Sequence, residues 1–198
     1  MKTKGSIWIG SGLLLVVAAL FLVGYNVYDN HRAEQVAGEN AERLIEKIEQ
    51  TDASEQLQED PSEPEMEMPI ETIDGVEYIG VLRIPLLGLE LPVIRDWSAS
   101  HLRISPCRYK GSAYTGDFII AGHNYSSHFA NLKTLQPGDV VTFTDVEGTI
   151  FSYEVVELEV LKETLVEEME CGAWNLTLFT CTASGRSRVA IRCEEQGR

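Results

Sequence analysis

The chain has 198 residues and a formal charge of −15, enough length for one domain of ordinary size with additional segments. The acidity is uneven: residues 29–72 hold 14 acidic and 3 basic side chains, whereas residues 73–198 hold 17 and 11. No clustered basic face is present, which excludes nucleic acid as the expected partner, and most of the acidity belongs to a connecting segment rather than to the folded part.

The N-terminus reads as a membrane segment. No charged side chain occurs from Gly5 to Tyr28, a stretch of 24 residues, which as a helix would span about 36 Å and so cross a hydrocarbon core of about 30 Å. Lys2 and Lys4 precede the stretch, and Asp29, His31 and Arg32 follow it. The positive-inside tendency then puts the N-terminus in the cytoplasm and the rest outside. A cleaved signal peptide is the rival reading, and the length of the run and the lack of a clear Ala-x-Ala-type site weigh against it. Residues 1–28 are therefore expected to form a cytoplasmic tip and transmembrane anchor.

Residues 29–72 read as an acidic stalk, partly helical and then disordered. Over 33–50, Val36/Ala37, Ala41, Leu44/Ile45 and Ile48 recur at helical spacing, and Glu39 precedes Arg43 by four. This narrow stripe fits packing on the folded domain, pairing with another copy, or a solvated helix of marginal stability. Residues 51–69 are rich in Glu, Gln, Ser and Pro and bury too little apolar area to offset their ordering entropy, the pattern of a flexible spacer.

From Ile73 onward the texture becomes short strands punctuated by turns. The predicted strands are 78–84, 90–94, 118–121, 140–144, 149–160, 176–181 and 187–193. Asp145-Val146-Glu147-Gly148 is a hairpin signal. In the longest strand Phe151, Tyr153 and Val155 share one face while Val156, Leu158 and Val160 share the other, a phase change that predicts a bulge. Seven or eight short strands with little helix indicate a mainly β fold, a closed or nearly closed barrel. Short helices are expected at 98–105, 126–135 and 165–171.

Three separated residues carry chemistry. Cys181 ends the run Thr177-Leu178-Phe179-Thr180-Cys181, Arg188 enters the next strand, and His123 follows Ile119-Ile120-Ala121-Gly122. They supply a nucleophile, a cation and a proton carrier, the set that thiolate chemistry requires. If 176–181 and 187–193 pair as antiparallel strands, the connection 182–186 brings Cys181 and Arg188 to the same sheet end, and Ser184-Gly185 suits that turn. His123 leaves the C-terminal end of its own strand and could project over the same rim. Arg186 is the second arginine in range, but it fits the loop better.

These motifs resemble those of the sortases, membrane-anchored cysteine transpeptidases of mainly Gram-positive bacteria. The family's Thr-Leu-x-Thr-Cys signature reads as Thr177 to Cys181, its Ala-Gly-His as Ala121-Gly122-His123, and its essential arginine as Arg188. The opening Ile79-Gly80-Val81-Leu82-Arg83-Ile84-Pro85 is similar to the start of a sortase barrel. The resemblance covers roughly residues 73–198 and implies a closed seven- to eight-stranded sortase-type catalytic β-barrel there, with short helices, behind the transmembrane helix and stalk. It implies that the Cys181 thiolate attacks a backbone carbonyl in a Leu-Pro-x-Thr-Gly-type sorting motif of a surface protein, forming a thioacyl enzyme. An amine from a peptidoglycan precursor or another protein then resolves it. His123 would protonate the leaving amine and deprotonate the incoming one, Arg188 would hold the substrate backbone or the developing oxyanion, and Thr180 would touch substrate through its N–H or hydroxyl. Two other functions remain open on the residues: a membrane-bound cysteine peptidase that hydrolyses the same intermediate, and a non-catalytic surface module. The short span from Cys181 to Arg188, with neither an Asp-Pro-aromatic lid motif nor a C-terminal apolar segment, points toward an anchoring enzyme rather than a pilin polymerase.

The remaining candidates have plainer readings. His128 is expected to pack a short helix, and His101 has no supporting neighbours. Cys107, Cys171 and Cys193 are an odd number beyond the nucleophile, so at least one further thiol is free or bonded to another chain. No cofactor is expected: no two cysteines have zinc-ligand spacing. Glu163, Glu167, Glu168 and Glu170 form either a solvated face, an acidic rim beside the site or a calcium site, and no EF-hand-like loop is present.

Overall fold

The computed structural model describes residues 3–55, 67–162, 170, 174–182 and 185–197. The chain divides into two compact units, Met1–Arg32 and Ala33–Arg198. One helix, α1 (Thr3–Glu55), contributes to both. In the first unit it is apolar and exposed over residues 11–28, with Leu13, Leu15, Leu20 and Phe21 all facing outward. It is long and apolar enough to cross a membrane.

Among the described residues the second unit has nine strands: β1 (Glu71–Ile73), β2 (Val76–Ile84), β3 (Leu89–Ile94), β4 (Cys107–Lys110), β5 (Phe118–Gly122), β6 (Val140–Asp145), β7 (Ile150–Lys162), β8 (Leu176–Cys181) and β9 (Ser187–Glu195). Eight of them close a barrel in the order β2-β3-β4-β5-β8-β9-β7-β6 and back to β2, while β1 extends β2 as a hairpin. The chain is thus mainly β, an eight-stranded closed barrel behind a long apolar helix. Closure depends on Gly80. It sits at φ 154 opposite Asp145, and a Cβ there would lie 2.2 Å from the Thr144 carbonyl oxygen, so only glycine lets β2 approach β6 this closely.

Alternation fills the barrel. Phe118, Ile120, Phe143, Phe151, Leu176, Leu178 and Ile191 all belong to the central core, and Phe118 meets Phe143 edge-on at 5.0 Å. The expected bulge in β7 is present between Val155 and Glu157. Past it, Leu158 pairs with core residue Ile191, so the interior face passes from odd to even positions. At the β6–β7 turn, buried Asp145 accepts the N–H groups of Glu147 and Thr149 at 2.9 Å each and the Tyr114 hydroxyl.

Within the second unit the apolar stripe of α1 packs on the barrel rather than standing in solvent. Leu44 and Ile48 join Ile73, Tyr78, Val81, Ile94 and Cys107 in one cluster, and Ala37 reaches the central core. Asn40 donates to the Tyr78 hydroxyl at 2.9 Å. Arg43 and Lys47 pair with Asp74 and Glu71 on the β1 hairpin. Helix extends to Glu55, into the expected spacer, and the described chain resumes at Glu67.

The short helices over 98–105 and 126–135 are 3₁₀ turns instead, His101–Arg103 and Leu132–Thr134. Neither stretch is long enough to repay the cost of nucleating an α-helix. The helix expected over 165–171 lies, except for Glu170, outside the described residues, as do Cys171, Glu163, Glu167 and Glu168.

Candidate active site

Strand register alone gathers the three chemical residues. β8 and β9 run antiparallel with Cys181 directly opposite Arg188, a pairing that holds Cβ atoms about 5 Å apart. On the other side β8 lies parallel to β5, with Gly122 opposite Thr180. His123 therefore follows Gly122 at the end where Cys181 follows Thr180. The β8–β9 turn is fixed by Thr182 and Ser187: the Thr182 N–H donates to the Ser187 carbonyl at 2.9 Å, and the Gly185 N–H donates to the Thr182 carbonyl at 2.8 Å.

Alternation assigns faces. Leu176 and Leu178 of β8 point into the core, so Thr177, Phe179 and Cys181 point outward. Cys181 is exposed. Arg188, opposite it, shares the outer face and donates to the carbonyls of Gly185 and Ser187 at 3.0 and 3.2 Å. The guanidinium is thus held along the turn. Thr180 points the other way: its side chain is buried, and its hydroxyl has no hydrogen-bond partner. Only its backbone adjoins the outer rim. Arg186 is exposed in the turn.

His123 begins a tightly folded loop. The Phe129 N–H donates back to the His123 carbonyl at 3.2 Å, and the Tyr125 carbonyl accepts from His128 and Ala130 at 3.0 and 3.1 Å. The Phe129 ring lies on Gly122, where a Cβ would meet it at 2.2 Å; the glycine of Ala-Gly-His makes room for that ring. The imidazole of His123 stacks on Tyr125, with centroids 4.0 Å apart and planes within 9°. His128 is fully buried, meets Tyr125 edge-on at 5.4 Å, and has no hydrogen bond on either ring nitrogen. Burial pushes its pKa down to about 4, and His123 adds to the effect. His128 packs a turn rather than a helix.

The outer wall beside the site is partly covered. Ala190 and Leu161 are buried against Phe179 outside the barrel. Phe179 meets Tyr109 edge-on at 5.3 Å, and Tyr109 meets Trp97 at 6.3 Å. Beyond this aromatic ladder lies a cleft of about 440 Å³ lined by Arg95, Trp97, Arg108, Tyr109 and Lys110. Its cations are paired: Arg95 with Glu77 at 2.9 Å, and Lys110 with Glu170 at 2.6 Å. Arg192 was unassigned by the sequence. It is buried on the outer face, donating to Glu159 at 2.8 Å and to the Thr177 hydroxyl at 3.1 Å. It braces β7, β8 and β9 beneath the site.

The other described cysteines are structural. Cys107 and Cys193 are free and buried, and burial raises each thiol to about 12. No cluster of three or more metal-ligating side chains occurs among the described residues. His101 ties its turn to the preceding segment, with Nδ1 2.8 Å from the Asp96 carbonyl oxygen.

Comparison with known proteins adds a family. Residues 82–196 match the family model described as Sortase domain. The chain is 28% identical over 183 residues to a protein named Sortase A from Bacillus anthracis, covering 86% of this chain and 85% of that protein. Among solved structures, a Clostridium perfringens Sortase D5 transpeptidase superposes with a TM-score of 0.60 at 22% identity, covering 82% of this chain and 99% of that one. Sortase C1 from Streptococcus agalactiae superposes with a TM-score of 0.56 at 24% identity, covering 64% and 72%.

Proposed function

The chain belongs to the sortase family, and from that premise we propose that it is a membrane-anchored cysteine transpeptidase with Cys181 as nucleophile, His123 as acid and base, and Arg188 as the substrate-holding cation. The observation that carries this reading is the register pairing of Cys181 with Arg188, next to the parallel strand that ends in His123. In the proposed reaction the Cys181 thiolate attacks a backbone carbonyl of a Leu-Pro-x-Thr-Gly-type motif in a surface protein. The tetrahedral oxyanion forms beside Arg188, where a fixed cation stabilises it most. His123 delivers a proton to the departing amine as the C–N bond breaks, leaving a thioester on Cys181. An incoming amine of a peptidoglycan precursor or of another protein gives up a proton to His123 and attacks the thioester, releasing the thiolate. Because the Thr180 hydroxyl is buried on the core side, any part Thr180 plays in holding substrate falls to its backbone.

In this reading residues 1–28 hold the enzyme in the cell membrane with the N-terminus cytoplasmic, residues 29–72 connect, and residues 73–198 carry the chemistry outside the cell. The full-length protein in detergent, incubated with a Leu-Pro-x-Thr-Gly-type peptide and an amine, is expected to give a thioacyl adduct on Cys181 and an amine-linked product by mass spectrometry. Cys181→Ala should lose both. Persistent ligation by Cys181→Ala would refute the mechanism, and cleavage without amine-linked product for any tested amine would make the protein a peptidase.

A further inference from the structure

The His123 imidazole lies flat against Tyr125, two residues on, with centroids 4.0 Å apart and planes within 9°. Neutral aromatic rings favour offset or edge-on contacts at longer centroid separation, whereas a cation gains from lying over a π-face. The geometry suits an imidazolium. Tyr125 is itself fixed, because His128 abuts its ring edge-on and its carbonyl accepts two N–H groups of the same loop. The loop is anchored in turn by the Phe129 ring on Gly122.

We propose that Tyr125 is a positioning residue for His123, whose ring sets the plane of the imidazole and stabilises its protonated form. The proposal rests on the transpeptidase reading for what His123 does in the reaction. The stack itself is independent of it. Protonation is needed when the amine leaves, and a fixed plane keeps the donating nitrogen aimed at the rim as the proton moves. Among the described residues, the other titratable or charged groups brought to this rim are Cys181 on β8, Arg188 on β9 and Arg186 in the turn between them, and on the loop itself Tyr125 and His128. His128 is held neutral near pH 7 by its burial, so it adds no repulsion to the imidazolium. A charged histidine in its place would oppose what Tyr125 favours.

The test uses the full-length protein in detergent micelles with ¹³Cε1-labelled histidine, followed by NMR through a pH titration. In the wild type the His123 Cε1–H signal should lie upfield of a free histidine because of the Tyr125 ring current, and Tyr125→Phe should keep that position. Tyr125→Leu should return it to the free value and lower the His123 pKa by roughly half a unit. With a Leu-Pro-x-Thr-Gly-type peptide, Tyr125→Leu should lose roughly tenfold in kcat with KM held, and its alkaline limb should move by the same half unit. An unshifted wild-type signal, or an unchanged His123 pKa in Tyr125→Leu, would overturn the proposal. If Tyr125→Leu does not fold, the wild-type signal still decides. Ligation that survives Cys181→Ala would sink the transpeptidase reading instead, leaving the ring-current result to judge the stack.

Discussion

At the residue scale, three cysteines on one barrel occupy opposite environments. Cys107 and Cys193 sit in apolar clusters where a thiolate has no solvation, so their thiols rise to about 12. Cys181 stands exposed on the outer face opposite Arg188. Iodoacetamide at pH 7.5 should therefore carbamidomethylate Cys181 in the native protein and spare Cys107 and Cys193 until denaturant is added, as read by peptide mass mapping. Native labelling of Cys193 would mean that the barrel opens. His128 makes a second prediction. Its folded pKa of about 4 lies below the ordinary value of 6.5, so between these pH values the unfolded chain binds the extra proton and the folded one does not. Stability is then full above pH 6.5 and drains away as pH falls toward 4, by about 3 kcal/mol at most. Urea midpoints at pH 7 and pH 5 should differ in the wild type, and the difference should shrink in His128→Leu.

At the element scale, what could be read in the sequence follows from what period-two alternation encodes. The long strands were legible because each carries one apolar face, and the β7 bulge because its apolar positions change parity at Val155–Val156. β4 was not. It has four residues without alternation, and it joins β3 only through the parallel pair Ile94–Cys107, a contact between distant segments. β1 was not read either: three residues are too few for alternation to show, and the signal that could have found it is Asp74-Gly75, a two-residue hairpin turn. The Cys181–Arg188 pairing followed from turn length. Tyr125 stayed hidden, because its stack arises from how a turn folds back. Arg192 stayed hidden too, because an outward arginine in a strand reads as solvated until Glu159 of β7 closes over it. Gly122 is the element-level hinge of the site. Gly122→Ala would drive a methyl group into the Phe129 ring and cost about 1–3 kcal/mol through overpacking. Because the displaced loop carries His123, peptide turnover should fall further than the loss of folded protein explains. Parallel measurement of the melting temperature and kcat separates the two effects, and turnover that tracks folded fraction alone would show that the loop is not coupled to Gly122.

At the scale of the whole molecule, the folded unit begins at Ala33, forty residues ahead of the first position where strand texture is evident in the sequence. Ala33, Ala37, Ala41, Leu44 and Ile48 are all buried. Removing them would strip cover from Tyr78, Val81, Ile94 and Cys107, which share a cluster with Leu44 and Ile48. Burial of a leucine or isoleucine side chain is worth about 1.5–3 kcal/mol. The ordering entropy of the helix offsets part of that, and exposed pairs such as Arg43–Asp74 add little. The balance favours the docked helix by about 2–4 kcal/mol, which in a domain of this size corresponds to a melting temperature roughly 5–15 °C higher. A chain starting at Ala33 should therefore melt well above one starting at Ile73, while keeping the Cys181 rim intact because, among the described residues, that rim is built on β5, β8, β9 and the loop that follows β5. Differential scanning calorimetry of the two chains decides the matter. Equal melting temperatures would mean that the stripe is no part of the cooperative fold. A shorter chain that is less stable but turns over peptide normally at low temperature would show that α1 supports the barrel without shaping its site.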